Sequence, residues 1–144
     1  MNVTKIANKL DRKRLCCRAV IETPGGSRSK YDYDPHTGLF ALAGVLPGGM
    51  AFPHAFGFVP STIGEDGDPI DILILADEHL PPVILVTVRL LGIIEATQTE
   101  DGKTLRNDRI VARVEQSRTY AGINALAELG GRLCRGPHPV FRNI

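Results

Sequence analysis

Apolar and polar residues alternate along the chain in short runs separated by turns rich in glycine and proline, a pattern typical of β structure. Residues 72–75 form a continuous apolar run after an acidic turn, and we predict a buried strand over residues 70–75. Residues 83–94 predict a longer strand with a bend near Gly92. Residues 18–22 and 109–114 alternate well enough to predict two more strands.

Two hairpins and one helix complete the predicted elements. Residues 30–34 alternate charged and aromatic side chains, and residues 39–42 pair back after a turn. Residues 97–108 are charged, contain glycine and predict a hairpin or loop. Only residues 120–134 place apolar side chains at helical spacing. We therefore predict an α+β fold, a small barrel of six or seven short strands with one carboxyl-terminal helix packed outside it.

Composition narrows the function classes. The chain has 144 residues, enough for one domain, which we assign to residues 1–144. It has 17 Lys and Arg against 16 Asp and Glu, a formal net charge of +1, and no interleaved basic and aromatic stripe, so we predict no nucleic-acid partner. The longest apolar stretch, residues 83–91, is too short to span a membrane.

The amino-terminal segment and the cysteines add little chemistry. Residues 1–14 are polar and basic and predict a short helix or a frayed arm. They lack the apolar segment of a signal peptide, so we predict a cytoplasmic protein. Cys16, Cys17 and Cys134 have neither a disulfide nor a zinc-site spacing.

The candidate chemistry lies in an acidic turn, Glu65-Asp66-Gly67-Asp68-Pro69-Ile70-Asp71, at the start of the buried strand. Two unit charges about 5 Å apart repel by about 3 kcal/mol at an effective dielectric of about 20. Three carboxylates at the edge of a core therefore favour a bound cation, and oxygen ligands favour Mg²⁺ or Mn²⁺.

Two other kinds of site share features with the acidic turn. An Asp-Gly-Asp-Pro sequence also occurs in solvated surface turns, which need no ligand. A calcium-binding EF-hand loop does not match, because the sixth position counted from Asp66 is Asp71, where that loop requires glycine. The residues alone therefore leave a metal site and a surface turn open.

Four segments share an order and spacing found in one enzyme family. They are Ile21-Glu22-x-Pro24, Lys30-Tyr31-x-Tyr33-Asp34, Phe52-Pro-x-x-Phe-Gly-Phe-Val-Pro60 and Glu65-Asp-Gly-Asp-Pro-Ile-Asp71. With them the chain resembles the soluble family I inorganic pyrophosphatases, over about residues 20–120. The resemblance implies a five-stranded, twisted, OB-like barrel in a homo-oligomer, a hexamer by analogy. It also implies Mg²⁺-dependent hydrolysis of pyrophosphate to two phosphates by a metal-activated water, with Mn²⁺ as a possible substitute.

The resemblance also implies a role for each carboxylate of the acidic turn. Asp66 and Asp71 correspond to ligands of a tightly bound metal pair. Asp68 corresponds to the carboxylate that takes a proton from the attacking water, beside the same metals. Glu22 would support a further metal, directly or through water. These roles agree with the chemistry, since splitting a multiply charged anion requires cations and an activated water.

Further residues complete the expected site. Lys30 corresponds to a residue that holds a phosphate oxygen, and Asp32 stands where the family often has glutamate. Arg109 is expected to stabilise charge on the leaving phosphate. Asp101 and Asp108, in the charged hairpin, are the candidates for later metal ligands.

The chain also departs from the family pattern. Gly44 stands where the family usually has an arginine that binds phosphate, and Phe56 and Phe52 stand in place of tyrosines. The resemblance also implies a Tyr-Lys pair that contacts phosphate after the last helix, and no such pair occurs in residues 135–144.

Cations of the charged hairpin are candidates to compensate for these losses. They are Lys103, Arg106 and Arg109, with Arg118 further along the chain. The alternative function is a low-activity or inactive paralogue that binds metal or phosphate.

Overall fold

Residues 2–132 and 140–143 contain ten strands, more than the six or seven predicted. The computed structural model of the chain describes residues 2–132 and 140–143. Its strands are β1 (Cys16–Thr23), β2 (Ser29–Asp34), β3 (Leu39–Val45), β4 (Ala55–Val59), β5 (Ile70–Leu75), β6 (Leu85–Glu95), β7 (Thr97–Glu100), β8 (Lys103–Arg106), β9 (Arg109–Val114) and β10 (Val140–Asn143).

Five of these strands close into a barrel. Their order is β1-β4-β5-β9-β6, and β6 pairs with β1 to complete the circle. The β5–β9 pair is parallel, whereas the other barrel pairs are antiparallel. The predicted strands 70–75 and 109–114 are confirmed at both ends. The predicted bend in the long strand is also confirmed, since the β6–β9 register shifts between Leu90 and Gly92.

Strand β5 is buried on both faces, which explains its continuous apolar sequence. Ile72 and Ile74 belong to the cluster that fills the barrel, together with Ile21 and Val88. The alternate residues of β5, such as Leu75, belong to a second cluster on the other face of the sheet. The site loop before β5 is therefore anchored by a strand that is buried on both faces.

The predicted helix over residues 120–134 is wrong in type and length. Residues 120–122 lie in a turn and residue 125 in a bend, and a 3₁₀ helix covers Leu126–Arg132. Gly122 has a positive φ of 81°, which lies outside the range of an α-helix. Residues 133 and 134 lie outside the described part of the chain. Leu126 and Leu129 are buried on the second cluster, because a spacing of three residues also matches the 3₁₀ period.

The amino-terminal arm is held against the barrel. It contains one 3₁₀ turn, Val3–Lys5. The Thr4 carbonyl accepts a hydrogen bond from Ser61 N at 2.7 Å, and Asn8 Nδ2 donates to the Pro60 carbonyl at 3.0 Å. The predicted short helix is thus a single turn, and these long-range bonds fix the arm beside the loop that leads to β5.

Two hairpins stand beside the barrel, as predicted. β2 pairs with β3, with a register irregularity between Lys30 and Tyr31. β7 pairs with β8 through the turn Asp101-Gly102, in which both residues have positive φ. Positive φ at both central residues is the requirement of a type I′ turn, which Asp-Gly meets.

Candidate active site

A cleft of about 610 Å³ collects most of the predicted site residues. It is lined by Thr4, Glu22, Lys30, Asp32, Tyr33, Pro35, Phe58, Asp66, Asp68, Pro69, Asp71, Ala96, Thr97, Asn107 and Arg109. These residues come from the amino-terminal arm, strands β1, β2 and β4, the loop before β5, the start of β5 itself, and the segments around β7 and β9. The cleft is thus formed by chain segments that are distant in sequence.

A tight turn presents Asp66 and Asp68. Asp66 Oδ1 accepts a hydrogen bond from Asp68 N at 3.0 Å, and Gly64 N donates to the Asp68 carbonyl at 2.6 Å. Gly67 lies between the two aspartates with a φ of 87°, a conformation that favours glycine. Burial and the neighbouring charges of Asp66 and Asp32 raise the pKa of Asp68. The turn therefore holds Asp68 in a state that accepts a proton more readily than an isolated aspartate.

Asp71 lies beside Arg109 at the start of the parallel strand pair, where the two residues are register partners. Burial raises the pKa of Asp71, and the Arg109 charge opposes that rise. The charges of Asp66 and Asp68 raise it further. The arrangement joins a partly desolvated carboxylate to a cation in the same wall of the cleft.

Glu22 is the most strongly perturbed carboxyl of the cleft. Its Oε2 accepts a hydrogen bond from Tyr33 N at 2.7 Å. The pKa of Glu22 is raised to about 7, mainly by burial and further by the charges of Asp32 and Asp71. Across from it, Lys30 Nζ lies 3.9 Å from Asp32 Oδ2, and both side chains are about half exposed. Glu22 therefore titrates near neutral pH in the protein without a bound cation.

Asp108 lies in a smaller adjoining pocket. That pocket has a volume of about 160 Å³ and shares Asp66 and Asp71 with the main cleft. Asp108 Oδ1 accepts from Ala96 N at 3.2 Å, and Asp108 Oδ2 accepts from Arg106 Nη2 at 2.8 Å. Arg106 lines this smaller pocket, and its guanidinium also lies 3.3 Å from Glu95.

Asp101 stands apart from the other predicted ligands. It lies in the turn between β7 and β8 and lines neither the main cleft nor the adjoining pocket. Of the two candidates in the charged hairpin, only Asp108 therefore lies beside the acidic turn. The candidate cations also differ in position: Arg109 lines the main cleft, whereas Lys103 does not.

Asn107 and Thr4 are among the lining residues that the reasoning from sequence missed. Asn107 lines both the cleft and the adjoining pocket, and Thr4 lines the cleft from the amino-terminal arm. Asn107 stands next to the predicted Asp108, so its position just before a strand was an available signal. For Thr4 the sequence carries no such signal, because its place depends on the bond between the arm and Ser61.

The donor set of the cleft agrees with a hard divalent cation. Five carboxylates, those of Glu22, Asp32, Asp66, Asp68 and Asp71, face two cations there. Within residues 2–132 and 140–143, no three His, Cys, Asp or Glu side chains converge closely enough to form a preassembled metal site. Burial is the main cause that raises the pKa values of Asp68 and Asp71, and the neighbouring aspartates raise them further. An excess of carboxylate oxygens is what Mg²⁺ prefers.

No helix in the described part of the chain is long and apolar enough to cross a membrane.

Comparisons with known proteins agree on one family. The family model for inorganic pyrophosphatase matches residues 19–143. The inorganic pyrophosphatase of Thermus thermophilus is 49% identical over 75 residues, which cover 52% of this chain and 43% of that protein. Soluble inorganic pyrophosphatase 2 of Chlamydomonas reinhardtii is 34% identical over 110 residues, which cover 76% of this chain and 55% of the relative. The chain thus spans about half the length of these curated relatives.

Solved structures agree in fold. The crystal structure of the inorganic pyrophosphatase from Thermus thermophilus superposes with a TM-score of 0.79 at 34% identity, and covers 89% of this chain and 71% of that one. The inorganic pyrophosphatase structure from Coxiella burnetii gives a TM-score of 0.68 at 33% identity, with 80% and 68% covered. The closed five-stranded barrel, mostly sheet with little helix, is therefore shared with these proteins.

Proposed function

The chain belongs to the inorganic pyrophosphatase family, and we propose that it hydrolyses inorganic pyrophosphate to two phosphates with divalent cations as cofactors. The observation that supports this most directly is the meeting of Asp66, Asp68 and Asp71 with Lys30 and Arg109 in one cleft. Carboxylates for cations and cations for phosphate oxygens are the two requirements of this chemistry.

Asp66 and Asp71 are proposed as the main metal ligands, with Asp68 and Glu22 contributing to the same group of cations. We propose Mg²⁺ as the cofactor and Mn²⁺ as a substitute, because both accept oxygen ligands. When bound, the cations would neutralise the diphosphate oxygens and acidify a water. Asp108 is a better candidate than Asp101 for an additional ligand, since it shares a pocket with Asp66 and Asp71.

Asp68 is proposed as the group that takes a proton from the attacking water. Its raised pKa supports this role, because a base is most effective when its pKa approaches the working pH. Lys30 and Arg109 are proposed to hold phosphate oxygens as negative charge moves to the leaving group. Asp32 lies 3.9 Å from the Lys30 ammonium and would position it.

A weakly active or inactive paralogue is the second candidate, and Gly44 favours it. Gly44 is the register partner of Lys30 on the β2–β3 hairpin. Residues paired in this way carry their side chains on one face, so glycine leaves that side of Lys30 without a second cation. In this case the protein would bind metal or phosphate with little turnover.

Finer properties of the protein are also proposals. The barrel order with one parallel pair supports an OB-like description within a single domain of residues 1–144. A homo-oligomer, a hexamer by resemblance, is supported by exposed apolar side chains on β3, since Leu39, Leu42 and Val45 are 67%, 61% and 59% exposed. We also propose a cytoplasmic location, which agrees with a relative named as a soluble pyrophosphatase.

Phosphate release from pyrophosphate by the purified protein tests the proposal. The assay compares Mg²⁺, Mn²⁺ and a chelator at equal ionic strength. Release that requires a divalent cation supports the enzyme. Absence of release from folded protein that binds Mg²⁺ by calorimetry would support the inactive paralogue instead.

A further inference from the structure

A second compartment opens from the cleft and has an aromatic wall. It has a volume of about 220 Å³ and shares Glu22, Lys30, Asp32, Asp71 and Arg109 with the main cleft. Its other lining residues are Thr23, Tyr31, Phe52, Phe56 and Gly57. We call this compartment the aromatic annex.

The hydroxyl of Thr23, which lines the annex, already forms hydrogen bonds within the protein. Thr23 Oγ1 donates to the Tyr31 carbonyl at 2.9 Å and accepts from Tyr31 N at 3.0 Å. Gly57 adds no side chain, and a Cβ there would lie 1.9 Å from the Val20 carbonyl oxygen. These two residues therefore offer a ligand no free hydrogen-bonding side chain, and the contacts left on that side are aromatic.

The two phenylalanines form an ordered pair. The rings of Phe52 and Phe56 lie 5.4 Å apart at 85°, an edge-to-face arrangement. Phe56 also packs against the second apolar cluster, which fixes its position. Such a pair presents apolar surface to whatever occupies the annex, whereas a phosphate group gains nothing from it.

The size of the annex indicates what it holds. A cavity of about 150 Å³ with apolar walls accepts one benzene ring, so 220 Å³ has room for a single ring or a group of similar size. The main cleft, at 610 Å³, has room for the diphosphate and its cations without the annex.

We propose that the aromatic annex binds the organic group of a diphosphate monoester, so that the enzyme cleaves compact aromatic diphosphate esters as well as pyrophosphate. This proposal rests on the proposed pyrophosphatase function. One water is consumed, and its oxygen bonds to the terminal phosphorus while the bond from that phosphorus to the bridging oxygen breaks. The bridging oxygen leaves with the organic phosphate, and the proton of the water passes to Asp68.

Phenyl diphosphate and pyrophosphate are the two substrates of the test, assayed with Mg²⁺. We expect wild-type protein to convert phenyl diphosphate to phenyl phosphate and phosphate. Phe52→Leu and Phe56→Leu keep apolar volume but remove a ring, and each is expected to lower the phenyl diphosphate to pyrophosphate ratio of kcat/KM by about three- to tenfold. Phe40→Leu, on β3 outside the annex, is the matched control and should leave the ratio unchanged.

Calorimetry gives a readout that does not need turnover. The phenyl ester of methylenediphosphonate should bind more tightly than methylenediphosphonate itself, and the two leucine variants should reduce that difference. Pyrophosphate cleavage without any phenyl diphosphate cleavage or ester preference would overturn the annex proposal and leave the pyrophosphatase intact. Equal losses on both substrates would also overturn it, and failure to cleave either would count against the proposed function.

Discussion

Asp71 and Arg109 are register partners at the start of the parallel strand pair β5–β9. Asp71 ends the acidic turn, and Arg109 follows the charged hairpin, so the pairing brings two distant motifs into one wall of the cleft. Arg109 also opposes the rise in the pKa of Asp71 that burial causes. The pair therefore connects the carboxylates proposed for cations with a cation proposed for phosphate.

Replacing Arg109 should weaken catalysis more than replacing Arg106. Arg109 lines the main cleft, whereas Arg106 lines the smaller pocket and is bonded to Asp108. We expect Arg109→Ala to lower kcat/KM for Mg-pyrophosphate by about 10²-fold, the usual effect of removing a group that stabilises transition-state charge. Arg109→Lys should retain part of the activity. An unchanged KM and kcat in Arg109→Ala would remove Arg109 from the site.

Glu22 should make the metal-free protein less stable as the pH rises. Its pKa is raised from 4.5 to about 7 in the folded state, so the folded protein holds this proton more tightly than the unfolded chain. The free energy of unfolding should therefore fall between about pH 4.5 and 7, by up to about 3 kcal/mol. Urea unfolding in chelator at several pH values measures this slope.

Glu22→Gln should flatten that slope, because the amide does not titrate. Glu78→Gln, an exposed position outside the cleft, is the control and should keep the wild-type slope. The same slope in wild type and Glu22→Gln would show that Glu22 titrates normally in the folded protein.

Gly57 should not tolerate even a methyl group. An added Cβ would lie 1.9 Å from the Val20 carbonyl oxygen, which is backbone of the paired strand β1. We expect Gly57→Ala to lower the free energy of unfolding by about 3 kcal/mol, since the strands must separate locally. Gly44→Ala is the control, because its Cβ would meet no atom within 4 Å. Equal stability of the two variants by urea unfolding would contradict this packing.

Gly44→Arg should strengthen substrate binding. The position has open space around it and pairs with Lys30, so an arginine there is accommodated beside the cleft. We expect KM for Mg-pyrophosphate to fall by about tenfold, the value of one hydrogen bond between charged groups. Gly44→Gln adds a long side chain without charge and should change KM little. If the arginine variant folds and KM stays the same, Gly44 does not explain any loss of substrate affinity.

Two barrel strands, β5 and β9, lie at the bounds predicted from sequence. For β5 the reason is the apolar run of residues 72–75 after a turn, which has few alternatives. The buried strand β4 was not predicted, because its five residues are too short to show a period. The helix over 120–134 was wrong, since buried residues at 126 and 129 fit the 3₁₀ period as well as the α-helical one.

The acidic turn was predictable from local sequence, and the family resemblance added Glu22, Lys30 and Asp32, which also line the cleft. Asp66, Asp68 and Asp71 lie in one short segment, so their spacing already implied a shared position. Thr4 and Asn107 line the cleft through packing between distant segments. Such contacts have no periodicity or motif in the sequence.

The kcat of Asp68→Asn for pyrophosphate hydrolysis with Mg²⁺ tests the central claim most directly. Asparagine keeps the shape of the turn but cannot take the proton, so we expect kcat to fall by about 10²- to 10⁴-fold. Calorimetry on the same variant should still detect Mg²⁺ binding through Asp66 and Asp71. A kcat within a few-fold of wild type, from protein shown to be folded, would contradict the role of Asp68 as the base.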